Sequence, residues 1–264
     1  MQIPKDARAI VTGAGSGFGR AVSIELGKRG GRLIVSDIDL EAAQETARLI
    51  GGSTRAMRVD VRDAEQVKSQ VDAAVVDLGG VDVLVNNAGV AVVGRVGEVA
   101  LEDWRFEVEV NLMSVVYGCH FAVPLMRKQR RGWILNVASA AGLLSAPMMG
   151  PYNVTKAGVV ALSETLAGEL IGEGINVSVL CPTFFRTNIH KAQRSSEELR
   201  KRTEKLITGA KWTAEDIARV ALKGLERGSL YVIPQTDGKL FWRAKRVLGA
   251  QFYAVAGRVA RRMT

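Results

Sequence analysis

Short apolar, β-branched runs alternate with longer helical patterns along most of the chain, and this alternation constrains the fold more than any other feature. It predicts strands at 8–12, 32–36, 56–59, 81–86, 133–138, 176–180 and 230–233, with helices near 18–29, 40–49, 63–78, 102–129, 152–171 and 214–226. Several strand cores, V-D-V-L-V and N-V-S-V-L among them, lack a two-residue alternation of apolar and polar side chains. Strands covered on both faces read that way, as in a parallel sheet with helices above and below. The expectation is a doubly wound α/β domain with a parallel sheet of about seven strands and helices on both faces. At 264 residues, 47% of them hydrophobic, the chain is long enough to bury one large core. No linker, repeat or low-complexity block divides it, so one domain over 1–238 and a C-terminal extension over 239–264 are expected.

The net charge of +9 raises the question of nucleic acid, and its location answers it. After Asp237 come Lys239, Arg243, Lys245, Arg246, Arg258, Arg261 and Arg262 with no acidic residue, which leaves the rest of the chain nearly neutral. A terminal cluster is not the groove-wide basic field that nucleic-acid binding requires, so no nucleic-acid partner is expected. The two cysteines, Cys119 and Cys181, stand in apolar contexts and make no disulfide framework. With an N-terminus, M-Q-I-P-K-D-A-R, that lacks a signal-like apolar core, they point to the cytoplasm. The uncharged run 132–155 is interrupted by Asn136, Ser139, Pro147 and Pro151, and reads as a strand plus a loop rather than a membrane span. His120 and His190 lie outside metal-ligand spacing, and no metal site is expected.

The first strand runs into T-G-A-G-S-G-F-G, residues 12–19, just before a helix. Glycines there let the backbone turn sharply and approach a pyrophosphate, whose charge sits at the helix N-terminus. Phe18 stands where the strict G-x-G-x-x-G pattern has its last glycine, so the loop alone is weak evidence. Its place between strand and helix is what gives it weight. Asp37 ends the second strand about 18 residues beyond Gly19, close to the spacing of a ribose-binding acid. A carboxylate there accepts from the ribose hydroxyls and repels a 2′-phosphate, while Ile38 and Ser16 offer no cation for one. The expected cofactor is NAD rather than NADP.

M-G-P-Y-N-V-T-K-A-G, residues 149–158, sets Lys156 four residues after Tyr152. Helical geometry puts the two on one face, where an ammonium stabilises a phenolate. Taken alone, Tyr152 is as easily a first-turn aromatic in a helix started by Pro151. Taken in order, the motifs resemble the short-chain dehydrogenase/reductase family over roughly residues 6–235. Residues 12–19 look like its T-G-x-x-x-G-x-G, and Asn86-Asn87-Ala88-Gly89 like its N-N-A-G segment beside the cofactor. The resemblance implies a Rossmann-type fold and a catalytic tetrad of Asn111, Ser139, Tyr152 and Lys156. Tyr152 would be the acid/base, Lys156 would tune it and bind the nicotinamide ribose, Ser139 would orient the reacting oxygen, and Asn111 would hold a water of the proton relay. Further cofactor contacts are implied at Gly13, Ser16, Gly17, Phe18, Gly19, Asp37, Ile38, Asp60, Val61, Asn87, Ala88 and Gly89, with Pro182 and Thr187 at the nicotinamide. Two departures stand out: Thr183 replaces the glycine that usually follows that proline, and the D-G-G ending of tetrameric relatives is missing.

In this family the segment after the sixth strand covers the substrate, here residues 184–212. Phe184 and Phe185 are expected to face Leu144 and Met149, making with Ser139 and Tyr152 a pocket for a lipophilic alcohol or ketone. Seven basic and three acidic residues between 186 and 205 leave room for an acidic substrate instead, as for an NADPH-dependent reductase of acyl-carrier 3-oxoacyl thioesters. A membrane-associated scaffold that kept the fold without turnover is the other alternative. The tail sets Phe241, Leu248, Phe252, Val255 and Val259 on one side of a helix among basic residues, weakened by Gly249 and Gly257. Such a helix suits an anionic membrane surface, a partner subunit of a homodimer or homotetramer, or the active-site mouth.

Overall fold

The computed structural model describes residues 1–261; Arg262 of the basic tail lies outside the described residues, as does the side chain of Val259. The strands are β1 (Arg8–Thr12), β2 (Arg32–Asp37), β3 (Thr54–Arg58), β4 (Val83–Asn86), β5 (Gly132–Val137), β6 (Ile175–Leu180) and β7 (Tyr231–Val232). All pair in parallel in the order β3-β2-β1-β4-β5-β6-β7. The order reverses between β1 and β4, and the crevice at the carboxyl ends of those strands is where such sheets bind ligands.

The helices are α1 (Gly17–Lys28), α2 (Leu40–Ile50), α3 (Ala64–Leu78), α4 (Leu101–Val108), α5 (Ser114–Gln129), α6 (Ala140–Leu144), α7 (Gly150–Glu169), α8 (Glu197–Thr208), α9 (Ala214–Glu226), α10 (Thr236–Leu248) and α11 (Ala250–Arg261). Successive strand residues feed two separate cores. Ile10, Ile34, Leu84 and Ile134 pack on one face with Val71 of α3, Val115 of α5 and Val159 of α7. Val11, Leu33, Val35, Val85 and Leu135 pack on the other with Val22 of α1 and Ile217 of α9. Both faces are dry, which is why the strands show no polar alternation.

Local chemistry starts the helices. The Asp39 carboxylate accepts from the Ala42 amide, Asp63 accepts from Glu65 and Gln66, and Thr213 with Asp216 forms a capping box. Pro151 occupies the first turn of α7, where its missing N–H costs nothing.

Three expectations need correction. The helix expected over 102–129 is interrupted by a π turn, Glu109–Met113, that contains Asn111. Apolar spacing carries across the interruption, so periodicity alone does not reveal it. The run 101–129 is long and apolar enough to cross a membrane by composition, yet Val115, Cys119, Ala122 and Met126 face the sheet and α3. The segment after β6, outside the expected helix bounds although its charge reads as a solvated helix face, holds α8, capped by Ser196. The tail is two helices rather than one, because Gly249 adopts φ 53°, ψ −128° and turns the chain. That break divides the expected stripe, with Phe241 and Leu248 on α10 and Phe252 and Val255 on α11.

Candidate active site

The glycine loop fits a close-lying phosphate backbone. Gly13 and Gly17 have φ of 62° and 53°, which side chains rarely adopt, and a Cβ on Gly19 would lie 2.1 Å from the Gly13 carbonyl oxygen. Ser16 precedes α1 without capping it through its side chain, so its first-turn amides are open to an anionic ligand. Phe18 instead turns into the core. The loop is braced from behind. Thr12 Oγ1 accepts from the Asn87 and Ala88 amides at 3.0 and 3.1 Å, and Asn87 Nδ2 donates to the carbonyls of Thr12 and Gly13 at 2.8 and 3.0 Å. One layer deeper, Asn86 donates to Asn136 and Asn136 to Ser163, a buried polar chain across β4, β5 and α7.

Asp37 stands at the end of β2 with Oδ2 accepting from the Gly15 amide at 2.8 Å and Oδ1 accepting from Asp39 at 3.1 Å. Ile38 next to it is exposed. Neither Ile38 nor Ser16 offers a cation, but one stands nearby from another strand: Arg58 Nε donates to the Ile38 carbonyl at 3.3 Å. The spacing of positions around Asp37 could not show it, because Arg58 arrives from the neighbouring strand. Asp60 is bonded to Arg62, whose hydrogen bonds hold its carboxyl below the usual range despite burial, and Val61 is buried beside Val59 and Val67.

The tetrad residues converge from three segments. Ser139 caps α6, its Oγ accepting from the Ala141 amide at 3.1 Å, and its hydroxyl favours the charged form of the Tyr152 phenol. Lys156, one turn along α7, lies with Nζ 5.7 Å from the Tyr152 ring centre and donates to the Val137 carbonyl at 2.9 Å. Asn111 is buried in the π turn, with its side chain fixed by Val90 on both its oxygen and its nitrogen. In the protein alone, burial pushes the Tyr152 phenol up to about 12, against the Ser139 hydrogen bond that favours the phenolate. Burial likewise pushes Lys156 down to about 8. The neighbouring amine by itself therefore does not make the phenol acidic.

Glu107, in α4, is the residue that sequence reasoning missed: fully buried, it accepts from Asn111 Nδ2 at 3.0 Å. The signal was its position four residues before Asn111, which puts both on one helical face.

The outer wall comes from three places. Pro182 is buried and its carbonyl accepts from Ala140 at 2.9 Å, joining the segment after β6 to the one that carries Ser139. Thr187 leans over the glycine loop, where a Cβ on Gly17 would lie 2.8 Å from its Oγ1. Leu144 packs on the first core, Met149 precedes α7, and Phe184 is about half exposed. Phe185 does not share a pocket wall with Leu144. It packs with the second core, which also holds Trp212 and Phe18, because consecutive residues of an extended segment point opposite ways. Thr183 is tied to the tail: its amide donates to Gln235 at 3.0 Å and its hydroxyl to Asp237 at 3.2 Å. Further along α10, Trp242 packs on Tyr231 and Lys245 donates to the Leu143 carbonyl at 2.5 Å. A separate 380 Å³ cleft beside Met1, Leu170 and Leu230 presents no ionisable side chain.

This geometry agrees with what known proteins show. A family model described as short chain dehydrogenase matches residues 7–198. The 3beta-hydroxysteroid dehydrogenase 1 of Eggerthella lenta is 34% identical over 82% of this chain and 85% of its own. The 3-oxoacyl-acyl-carrier-protein reductase of Thermotoga maritima is 33% identical over 87% and 94%. A short chain dehydrogenase/reductase from Burkholderia phymatum, solved in complex with NAD, superposes with a TM-score of 0.87 at 33% identity, covering 91% of this chain and 92% of that one. The chain belongs to the short-chain dehydrogenase family. It is an oxidoreductase of that family, with a site for a nicotinamide nucleotide at the carboxyl edge of its sheet.

Proposed function

We propose that the protein interconverts a lipophilic secondary alcohol and its ketone, using NAD. The observation that carries this reading is the convergence of Ser139, Tyr152 and Lys156 beside a glycine loop shaped for a dinucleotide. Gly13, Gly17 and Gly19 admit the pyrophosphate, Asp37 accepts from the adenosine ribose hydroxyls, and Lys156 donates to the nicotinamide ribose. Ser16, Phe18, Ile38, Asp60, Val61 and the segment Asn87–Gly89 complete the cofactor shell, with Pro182 and Thr187 at the nicotinamide. A bound nicotinamide dinucleotide supplies or accepts the hydride and, when oxidised, brings a positive ring charge toward the phenol.

Tyr152 gives a proton to the carbonyl oxygen of a ketone, or takes one from an alcohol once positive charge has lowered its pKa. Ser139 donates to the same substrate oxygen as charge builds there. Asn111 supports the proton path behind Lys156. Leu144, Met149 and Phe184 give the mouth an apolar lining suited to a lipophilic substrate, and the similarity to a hydroxysteroid dehydrogenase supports it. Replacing Tyr152 by Phe is expected to lower kcat about 100- to 10,000-fold, and undiminished turnover would sink the mechanism.

A second reading, an NADPH-dependent reductase of acyl-carrier thioesters, is favoured by Arg58 beside Ile38 and by the similarity to the Thermotoga reductase. Titration with both cofactors separates the two, since tighter binding of NADP(H) than NAD(H) overturns the role given to Asp37. On the first reading the protein is cytoplasmic and homo-oligomeric, and α10 forms part of the pocket wall. The outward residues Leu240, Phe241 and Val247, set among Lys239, Arg243 and Arg246, suit an anionic membrane surface or a partner subunit. Salt-sensitive co-sedimentation with anionic liposomes, lost on deletion of 239–264, distinguishes the membrane.

A further inference from the structure

Glu107 is completely buried, and only half of its carboxylate is used. Oε1 accepts from the Val92 amide at 3.3 Å and from Asn111 Nδ2 at 3.0 Å, whereas Oε2 is buried with no hydrogen-bond partner. Val90 holds the Asn111 amide at both ends, and Glu107 adds a further bond at its donor end. Asn111 Oδ1 accepts from the Val90 amide at 2.8 Å and its Nδ2 donates to the Val90 carbonyl at 2.9 Å. The amide therefore turns its donor end to Glu107 and its oxygen toward Gly89. The point where a Cβ on Gly89 would begin lies 3.2 Å from Asn111 Oδ1 and 3.4 Å from Lys156 Nζ. A buried acid is thus bonded to the donor end of one fixed amide, and a buried amine approaches the same Gly89 position as the oxygen of that amide.

Burying either charge alone is costly, and burying both as ions or both as neutral groups relieves that cost. We propose that Glu107 is a positioning residue for the reaction, one that anchors Asn111 and shares a single proton with Lys156, so that the charge behind Tyr152 is set inside the protein. The inference rests on Tyr152 and Lys156 being the reacting pair. The charges around the two groups agree with it. Burial pushes the Glu107 carboxyl up to about 8 and the Lys156 amine down to about 8, each drawn back by the other's charge, so neither holds the proton decisively. Asp103, on the same helix, pushes Glu107 further up, and its own carboxylate is paired with Arg194 at 2.7 Å. From α7, Tyr152 feels the Glu107 charge, while Cys181 just after β6, pushed up to about 12 by burial, stays a neutral thiol beside Lys156.

The place of the shared proton sets how easily Tyr152 ionises. When it rests on Lys156, the ammonium one turn along from Tyr152 favours the phenolate. When it rests on Glu107, Lys156 is neutral and the phenol keeps its own proton.

Glu107→Gln tests this because it keeps an acceptor for Asn111 and Val92, places an NH₂ at the unpartnered oxygen and removes the charge. The first measurement is a ¹³C NMR titration of protein labelled at the glutamate carboxyl. One resonance is expected to titrate about three to four pH units above an ordinary glutamate, to vanish in Glu107→Gln and to move higher in Lys156→Met. The second is the pH profile of alcohol oxidation. Glu107→Gln is expected to shift its midpoint by at least about one pH unit and lower kcat about tenfold or more, leaving substrate KM within about twofold. Glu107→Leu, which also removes the acceptor for Asn111 Nδ2, is expected to cost more than Glu107→Gln. Absence of a high-titrating carboxyl, or one indifferent to Lys156→Met, overturns the shared proton, as does a pH profile unchanged in Glu107→Gln. The NMR titration requires no turnover, so it reads the pair even if the alcohol–ketone reading itself fails.

Discussion

Asp82 offers a stability prediction that can be worked from the structure. Its carboxylate stands just before β4, 2% exposed, and accepts from Arg8 Nη2 at 2.7 Å and Arg131 Nη2 at 2.8 Å. The Arg8 amide donates to it as well, so one carboxylate clamps the starts of β1, β4 and β5. Burial alone would push this acid up, but the hydrogen bonds from Arg8 and Arg131 outweigh it and hold the carboxyl at about 2, against 3.8 for a free aspartate. A group bound more weakly to its proton in the folded state adds stability above its unfolded pKa and loses it as the pH falls through the folded one. At about 1.4 kcal/mol per tenfold, the gap contributes about 2–3 kcal/mol at pH 7, stays constant down to about pH 5 and is roughly halved at pH 3. Asp82→Asn keeps the shape and removes the charge. Urea unfolding followed by tryptophan fluorescence at pH 7, 5 and 3 reads the difference from the parent protein, while cofactor affinity at the other end of the strands stays unchanged. A loss below about 0.5 kcal/mol at pH 7, or a difference that does not shrink between pH 5 and pH 3, refutes the reasoning.

Two glycines should respond in opposite ways. Gly19→Ala drives a methyl group into the Gly13 carbonyl, and is expected to cost about 1–3 kcal/mol and abolish measurable cofactor binding by calorimetry. Gly168→Ala, on the exposed side of α7 with nothing within 4 Å of the new atom, is expected to add about 0.5–1 kcal/mol in the same unfolding assay. The Tyr152 phenol, held up at about 12 by burial, should stay protonated through pH 10 in cofactor-free protein. The phenolate absorbance change of Tyr152→Phe should therefore match that of the parent up to that pH. Trp242→Ala removes the ring that seats α10 on Tyr231 and should raise substrate KM with little effect on cofactor Kd, as read by steady-state kinetics and calorimetry.

Much of this architecture is legible in the sequence because each strand core feeds two dry faces and each crossover carries its own start signal. Asp63, Thr213 and Pro151 begin helices where simple capping rules put them. The ends of β2 and β5 bring Asp37 and Ser139 to the crevice for the same reason. Glu107 escapes because a glutamate in W-R-F-E-V-E-V looks like a solvated face, and only the π turn and the loop at Val90–Val92 decide which of its two glutamates is buried. Arg58 escapes because its neighbour is set by strand pairing and not by distance along the chain. The charge density around α8 reads as a solvated helix face, and Ser196 followed by Glu197 and Glu198 is the start signal that bounds it. Thr183, a departure from the family pattern when read in line, becomes intelligible only once Asp237 is seen beside it.

The π turn at Glu109–Met113 has a consequence for how this chain tolerates change. A π turn holds one residue more than the α-helical turn it replaces, so the helices on either side keep their faces while the residue inside is offset from both. A single-residue deletion at 109, 110, 112 or 113 would restore an uninterrupted α-helix. The helices on both sides would keep their packing, and Asn111 would swing about 100° around the axis, away from Val90 and Glu107. The chain would still fold, with the same cores and nearly the same composition, and would have lost the brace behind its reacting tyrosine. Across these five positions, then, substitutions test side chains, whereas insertions and deletions test function with little warning from stability.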